Sequence, residues 1–178
     1  MTQREAPSAD LPARVPVAWT RTALERFGFE GFVPFSALSA ATVANVAGVY
    51  CVLRVADGPP TFLETSPAGR VKGRDQTVSV AELERLWVPG AAVVYIGKAQ
   101  LGSSQDRGLL TRLVEFRKFG AGQLVPHTGG RRIWQLADSS DLLVGWMATD
   151  DSRAVATEEL LLKAFTSAHG RLPFANMR

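Results

Sequence analysis

The sequence predicts one principal domain of mixed α/β (α+β) class, and three observations predict it. GVYCVLRV at 48–55 and AVVYIG at 92–97 are rich in β-branched and aromatic residues and read as strands. GLLTRLVEFRKF at 108–119 and TEELLLKAF at 157–165 repeat apolar residues at helical period. The chain has 178 residues, 46% of them hydrophobic and 21% charged. That is enough to bury a core without disulfides or metal staples.

Each element follows from local chemistry. Residues 1–16 are polar and carry Pro7, Pro12 and Pro16, as a mobile start would. A short helix is expected over 18–28. GFEGFVPFSAL (28–38) holds three phenylalanines, too many to leave in water, so it is expected to lie against the main domain. Residues 1–44 are therefore read as an N-terminal extension, partly helical, and 45–178 as the domain. In the first strand Val49, Cys51, Leu53 and Val55 share one face, and Tyr50, Val52 and Arg54 the other. Residues 56–91 form an insertion before the next strand. It contains DGPP, SPAG and KGRD turn chemistry around a short TFLET strand. Ser79 and Glu82 then stand at capping-box spacing, which predicts a short helix over 79–87.

In the helix 108–119 the apolar arc is Leu109, Leu110, Leu113, Val114 and Phe116, with Gly120 and Gly122 after its end. Arg112 stands at the edge of that arc, so its stem can pack while its head reaches a cleft. Arg117 falls inside the arc, where a cation has no place unless the helix has frayed. RRIWQLA (131–137) and LLVGWMA (142–148) read as extended segments. In the last helix Glu158 shares a stripe with Leu161, Leu162 and Phe165, whereas Glu159 pairs outward with Lys163 at i+4. A carboxylate on a core-facing stripe is costly unless something binds it. Glu158 therefore requires a partner, and Glu159 does not. Trp134 and Trp146 are expected in the core. Trp19 and Trp87 are expected in packing, although either ring suits base stacking.

Composition excludes several classes. Cys51 is the single cysteine, so there is no internal disulfide and no cysteine-based zinc site. No apolar run approaches membrane-spanning length, and the start has no leader-like core, so no membrane partner and a cytoplasmic location are expected. The net charge is +3 and uneven: residues 1–97 carry 9 Lys/Arg and 9 Asp/Glu, residues 98–178 carry 11 and 8. Arg112, Arg117, Lys118, Arg131 and Arg132 lie close in sequence within the basic half. Such a patch is the footprint of a polyanion binder, or else a solvated face.

The residues carrying chemistry come in a fixed order: GVY at 48–50, YIGKA at 95–99, an arginine in LLTRL at 112, a glutamate in TEELLLKAF at 158, and an asparagine in PFANMR at 176. Each piece is weak alone. The ordered series, each member on a suitable element, resembles the GIY-YIG nuclease superfamily over residues 48–178. The resemblance implies a central three-stranded antiparallel sheet flanked by helices, here 48–55, 92–97 and 142–148. It implies DNA phosphodiester hydrolysis with Mg²⁺ (or Mn²⁺). By motif, Tyr50 and Tyr95 are the catalytic tyrosines and Arg112 contacts phosphate. Glu158 is the metal ligand, Asn176 is the asparagine near the C-terminus, and Lys98 adds charge. Arg117, Lys118, Arg131 and Arg132 are candidate nucleic-acid contacts.

The chemistry is served by those residue types. Phosphodiester hydrolysis needs activated water, a charge sink for the phosphoryl oxygens and help for the leaving oxygen. Mg²⁺ accepts one or two protein carboxylates and takes its other ligands from water and substrate. Arg112 offers a planar, permanently charged donor fork. Tyrosine is a poor base: with an ordinary pKa near 10, only about one in a thousand is phenolate at pH 7. A neighbouring cation such as Lys98 or Arg112 would lower that pKa. Gly97 would allow backbone or phosphate to come close. Which tyrosine is the base stays open.

Two departures stand out. Four residues after the arginine, where many members carry Tyr or His, this chain has Phe116. His127, in VPHTGG, either supplies the missing group or is a plain loop histidine; His169, near the end of the last helix, is read as structural. The span from Tyr50 to Tyr95 is also longer than in compact members, because of the 56–91 insertion. Three functions are thus in view. The first is a metal-dependent endonuclease acting on DNA, with RNA also open. The second is a weak or inactive GIY-YIG module that binds nucleic acid or a protein. The third is a structural domain whose N-terminal aromatics, or whose insertion, meet a protein partner.

Overall fold

The computed structural model describes residues 15–125 and 129–177. Its centre is a four-stranded sheet, ordered β1-β4-β2-β3, of strands β1 (Glu30–Pro34), β2 (Gly48–Leu53), β3 (Val93–Ala99) and β4 (Leu143–Ala148). Every neighbouring pair is antiparallel. The helices are α1 (Arg21–Phe27), α2 (Val80–Leu86), α3 (Leu109–Gly120) and α4 (Asp151–His169). The class is therefore the mixed α and β one, but the sheet has four strands where three were expected. The fourth, β1, comes from the GFEGFVPF stretch read as extension. It pairs with β4 from Glu30↔Trp146 to Pro34↔Leu143.

Burial explains the choice. Phe29, Phe32 and Phe35 are all buried, and strand pairing satisfies the backbone polar groups that their burial takes from water. The aromatics of this segment are thus core rather than an exposed cluster. Trp19 likewise packs edge-on against Phe165, at 5.1 Å between ring centroids.

β2 lies between β4 and β3 and is buried along its whole length. Tyr50 and Val52 enter a core shared with α3. Val49, Cys51 and Leu53 enter a second core with Leu24 of α1 and Leu161 and Phe165 of α4. The alternation read from sequence holds, but both faces are covered, so neither is polar.

The stripes on the two long helices differ from those expected. On α3 the buried residues are Leu109, Leu113, Phe116 and Phe119, while Leu110 is exposed and Arg117 half-buried beside the stripe. That rotation removes the conflict at Arg117. α4 is longer than 157–165 and buries Ala154, Thr157, Leu161 and Phe165; Glu158 sits on the flank of this stripe and Glu159 is exposed. α4 ends at Gly170 in the left-handed conformation, a conformation that costs glycine little.

Two segments expected to be extended are not strands. Arg131–Gln135 is a 3-10 helix entered through left-handed Gly130. Its apolar residues Ile133 and Trp134 are adjacent, and both must reach the core, which a strand's alternation does not permit. TFLET makes only an isolated bridge, Phe62↔Leu136. In the insertion, Ser79 caps α2 as expected, its Oγ accepting from the Glu82 N–H at 3.3 Å.

Trp87, Phe62 and Phe174 form one aromatic cluster that ties the insertion to the C-terminal segment. Among the described residues, no helix is long and apolar enough to cross a membrane. The polar start, residues 1–14, lies outside the described residues.

Candidate active site

β2 and β3 run side by side, with Tyr50 opposite Gly97 and Val52 opposite Tyr95. The two tyrosines therefore project from the same face as a diagonal pair, with ring centroids 5.9 Å apart. Gly97 makes room for them. A Cβ there would stand 2.7 Å from Cζ and Oη of Tyr50 and 2.9 Å from Cε1 of Tyr95. The glycine in YIG admits two rings of its own chain, where the sequence suggested an approach for phosphate. Phe116 of α3 closes the cluster, with centroids 6.1 Å from Tyr50 and 5.5 Å from Tyr95. It is fully buried and also meets Phe35 and Trp134.

Tyr50 is 1% exposed and Tyr95 8%. The Tyr50 hydroxyl hydrogen-bonds to that of Tyr95. Burial pushes the Tyr50 phenol well above its ordinary value; the Tyr95 hydroxyl adds to this, and Arg112 opposes it. Burial likewise raises Tyr95, against the hydrogen bond from Tyr50 and the Arg112 charge, while Glu158 adds to the rise. The cation expected from sequence is thus in place, yet desolvation outweighs it. Both phenols are held neutral.

That balance gives a direct prediction. The chain contains two tyrosines, so phenolate absorbance near 295 nm reports this pair alone. Native protein is expected to ionise only above the ordinary value near 10. Because the folded pKa values are raised, the stability they contribute is complete below about pH 10 and is lost as pH rises through the folded values. A native titration matching the unfolded one would refute the burial described here.

Arg112 and Glu158 reach the same phenols from two helices. Arg112 projects from α3, and its Nη1 is 3.5 Å from Oε2 of Glu115. Glu115 also receives Arg107 Nη2 at 2.9 and 3.0 Å. α3 begins without a side-chain cap of its own. Asn45 supplies one from before β2: its Oδ1 accepts from the Thr111 N–H at 3.1 Å, and its Nδ2 donates to the Asp106 carbonyl at 2.9 Å. Asn45 thereby fixes the start of the helix that carries Arg112. Glu115 and Asn45 were not found from sequence. The three-residue spacing from Arg112 to Glu115 was a readable sign; nothing marked Asn45.

Glu158 does have the partner its position required. Its Oε2 accepts from Lys98 Nζ of β3, and its side chain is 14% exposed. Asn176 lies on the free edge of β3. Its Nδ2 donates to the Ile96 carbonyl at 2.7 Å, and its Oδ1 accepts from the Ile96 N–H at 3.0 Å. Ala175 N–H adds a bond to the Val94 carbonyl at 2.9 Å. Asn176 thus acts as a strand-edge clamp, with its amide committed to backbone.

Arg117 and Lys118 stand in the last turn of α3, half-buried and without an ion pair to any described residue. Arg131 and Arg132 open the 3-10 helix next to Gly130, where a Cβ would come 3.1 Å from the Tyr95 ring. His127 lies outside the described residues. His169 stacks on Phe165 at 4.3 Å between centroids, a structural place.

The donor set was tested against a metal. Among the described residues, no three His, Cys, Asp or Glu side chains gather to cage one. Among the described residues, Glu158 is the carboxylate whose charge acts on both phenols, with one oxygen outside the Lys98 pair. This fits Mg²⁺ or Mn²⁺ held mostly by water and substrate oxygens, and it does not fit a protein-caged zinc or calcium site. Comparison of the chain with protein-family models, curated proteins and solved structures finds no match.

Proposed function

We propose that the chain is a GIY-YIG-type endonuclease that hydrolyses nucleic-acid phosphodiester bonds, DNA first among them, with Mg²⁺ or Mn²⁺. One observation carries the reading. The four motif elements meet: Tyr50 and Tyr95, rings 5.9 Å apart on neighbouring strands, both pack on Phe116 of the helix that carries Arg112, and Lys98 of the Tyr95 strand pairs with Glu158. A bound metal would supply neutralisation at the phosphate oxygens and acidify the attacking water. Glu158 would hold it, displacing or sharing Lys98. Arg112 would bind a phosphoryl oxygen through its fork, with Glu115 fixing its direction. Tyr95 is the more exposed of the two phenols. A neutral, high-pKa phenol is a hydrogen-bond donor to a phosphate oxygen rather than a ready base.

The test is cleavage of labelled single-stranded, duplex and branched DNA, and of RNA, with and without Mg²⁺ or Mn²⁺. Arg112→Ala is expected to lower the rate about 10²-fold, as loss of one charge-stabilising donor does. Wild-type rates from that variant would overturn the role given to Arg112.

A second reading has its own support. Phe116 offers no exchangeable proton, and both phenols are buried and held neutral. These features suit a module that binds nucleic acid without cutting it. Metal-independent binding with no cleavage of any substrate would establish that reading in place of the first.

A further inference from the structure

Buried or half-buried arginines in this protein are treated in two ways. Arg54, whose side chain is 9% exposed, is fully answered: Nε donates to Asp138 at 2.7 Å, Nη1 to the carbonyls of Ala56 and Gly58, and Nη2 to that of Pro59. Arg131 and Arg132 are not answered. Among the described residues, Arg131 makes one hydrogen bond, from Nη1 to the neutral amide oxygen of Gln76 at 2.7 Å. Arg132 makes one there, from Nη1 to the Asn176 carbonyl at 3.3 Å, and a long ion pair from Nη2 to Glu82 Oε1 at 3.9 Å. The Nε of each is buried without an acceptor. Arg132 is 15% exposed in its side chain. Burial lowers its pKa, and the Arg131 and Arg85 charges lower it further against the pull of Glu82.

A guanidinium carries five donors, so two adjacent ones with a single bond each leave most of their donors unused. Two half-buried like charges side by side, answered by one long ion pair to an exposed glutamate, are costly, and one bound anion with several acceptor oxygens would answer both. The cluster has a defined place. Arg131 follows Gly130, whose backbone lies against the Tyr95 ring. Arg132 touches the C-terminal segment that clamps β3. Gln76, Glu82 and Arg85 all belong to the insertion between the two tyrosine strands.

We propose that Arg131 and Arg132, the first oriented by Gln76 of the insertion, form a second phosphate subsite beside the candidate active site. It would hold a phosphodiester of the nucleic acid some distance along the strand from the group at Arg112. The planar forks suit the bidentate recognition of phosphate. The insertion thereby gains a role in gripping substrate. The subsite deepens the nuclease reading, and rests on it for the source of the phosphate, but binding there requires no cleavage.

The experiment measures binding of a fluorescent single-stranded oligonucleotide, without divalent metal, across a salt series. Wild type is compared with the Arg131→Gln/Arg132→Gln double variant and with Arg117→Gln/Lys118→Gln. Melting in chloride buffer checks that each is folded, and Arg131→Lys/Arg132→Lys serves if the Gln pair is not. The Gln pair is expected to weaken binding about tenfold or more and to reduce the slope of log K against log salt by roughly 0.7 to 1.4, one to two phosphate contacts. The Lys pair keeps charge but not the fork, and is expected to fall between.

Binding equal to wild type in the folded variant overturns the proposal. So does an equal loss in the Arg117/Lys118 variant, which would mean a diffuse field instead of a subsite. A parallel arm follows melting with inorganic phosphate. Stabilisation lost in the Gln pair while oligonucleotide binding is unchanged would also overturn it, in favour of a free phosphate ligand. Wild-type cleavage with Mg²⁺, assayed alongside, separates the two readings: Arg131/Arg132-dependent binding with no cleavage by the wild type would leave the subsite standing and remove the nuclease.

Discussion

Glu158→Gln is expected to abolish metal-dependent cleavage, a fall of 10²-fold or more at saturating Mg²⁺, while leaving the fold in place. The amide keeps the shape of the carboxylate and removes its charge. Among the described residues, Glu158 is the carboxylate whose charge acts on both phenols, and no second acidic side chain there completes a cage that could compensate. Stability should change little. The lost interaction is the ion pair with Lys98, whose side chain is a third exposed and can recover water. Pairs of this kind contribute roughly 1 kcal/mol or less. Nucleic-acid affinity should hold or rise slightly, because a negative charge leaves a basic site. Rates are to be measured against Mg²⁺ concentration, with melting and oligonucleotide binding as controls. Cleavage persisting at wild-type level in the variant would remove Glu158 from the reaction and with it the metal site.

The largest loss of stability is expected at Gln135. It is fully buried. Its Nε2 donates to the carbonyls of Leu63 at 3.0 Å and Val78 at 2.9 Å, and its Oε1 accepts from the Val78 N–H at 2.7 Å. Its backbone carbonyl also accepts from Leu63 N–H at 2.7 Å. One side chain thus satisfies backbone groups of two separate insertion segments that belong to no sheet. Gln135→Leu is similar in size and removes three side-chain bonds, leaving backbone groups without partners. A buried group left so costs about 1–3 kcal/mol, and water can reach part of this region, so a loss of about 3 kcal/mol is expected. For a chain of this size that lowers Tm by roughly 6–12 °C. Hydrogen exchange should locate the change, with the Val78 and Leu63 amides losing protection before those of β2. A variant that melts like wild type would show that the insertion is held by its aromatic contacts instead.

These two residues differ in how far they could be read from the sequence. Glu158 announced itself by position: a carboxylate beside Leu161 and Phe165 needed a partner, and the structure supplies Lys98. Gln135 sat in RRIWQLA, which reads as a strand, and a neutral polar residue there carried no sign that it would be buried. The same contrast runs through the site. Tyr50, Tyr95 and Arg112 were singled out by the resemblance that the ordered motif series carries, and Glu158 both by that series and by its place on an apolar stripe. Glu115 and Asn45, which orient Arg112 and start its helix, were missed because they act through contacts that only folding creates. Asn45 reaches a helix 66 residues away in the chain.

The sequence by itself determined the α and β character, the buried β2 and β3, the helices α3 and α4, the cap on α2 and the order of the motif residues. Those features depend on local propensity and on apolar period, which are written along the chain. Only the tertiary structure decided that the segment of Phe29, Phe32 and Phe35, expected to pack on the domain, does so as a fourth strand. It decided that α3 turns Phe119 inward and Leu110 outward. It set Asn176 on the β3 edge and placed Gly97 beneath two tyrosine rings. It also set the direction in which the phenols shift, since burial and the Arg112 charge act against each other there and burial is the larger. Which donors are satisfied is likewise a property of the folded molecule. Arg54 and Arg132 look alike in sequence; one is enclosed by acceptors and the other is left with donors to spare.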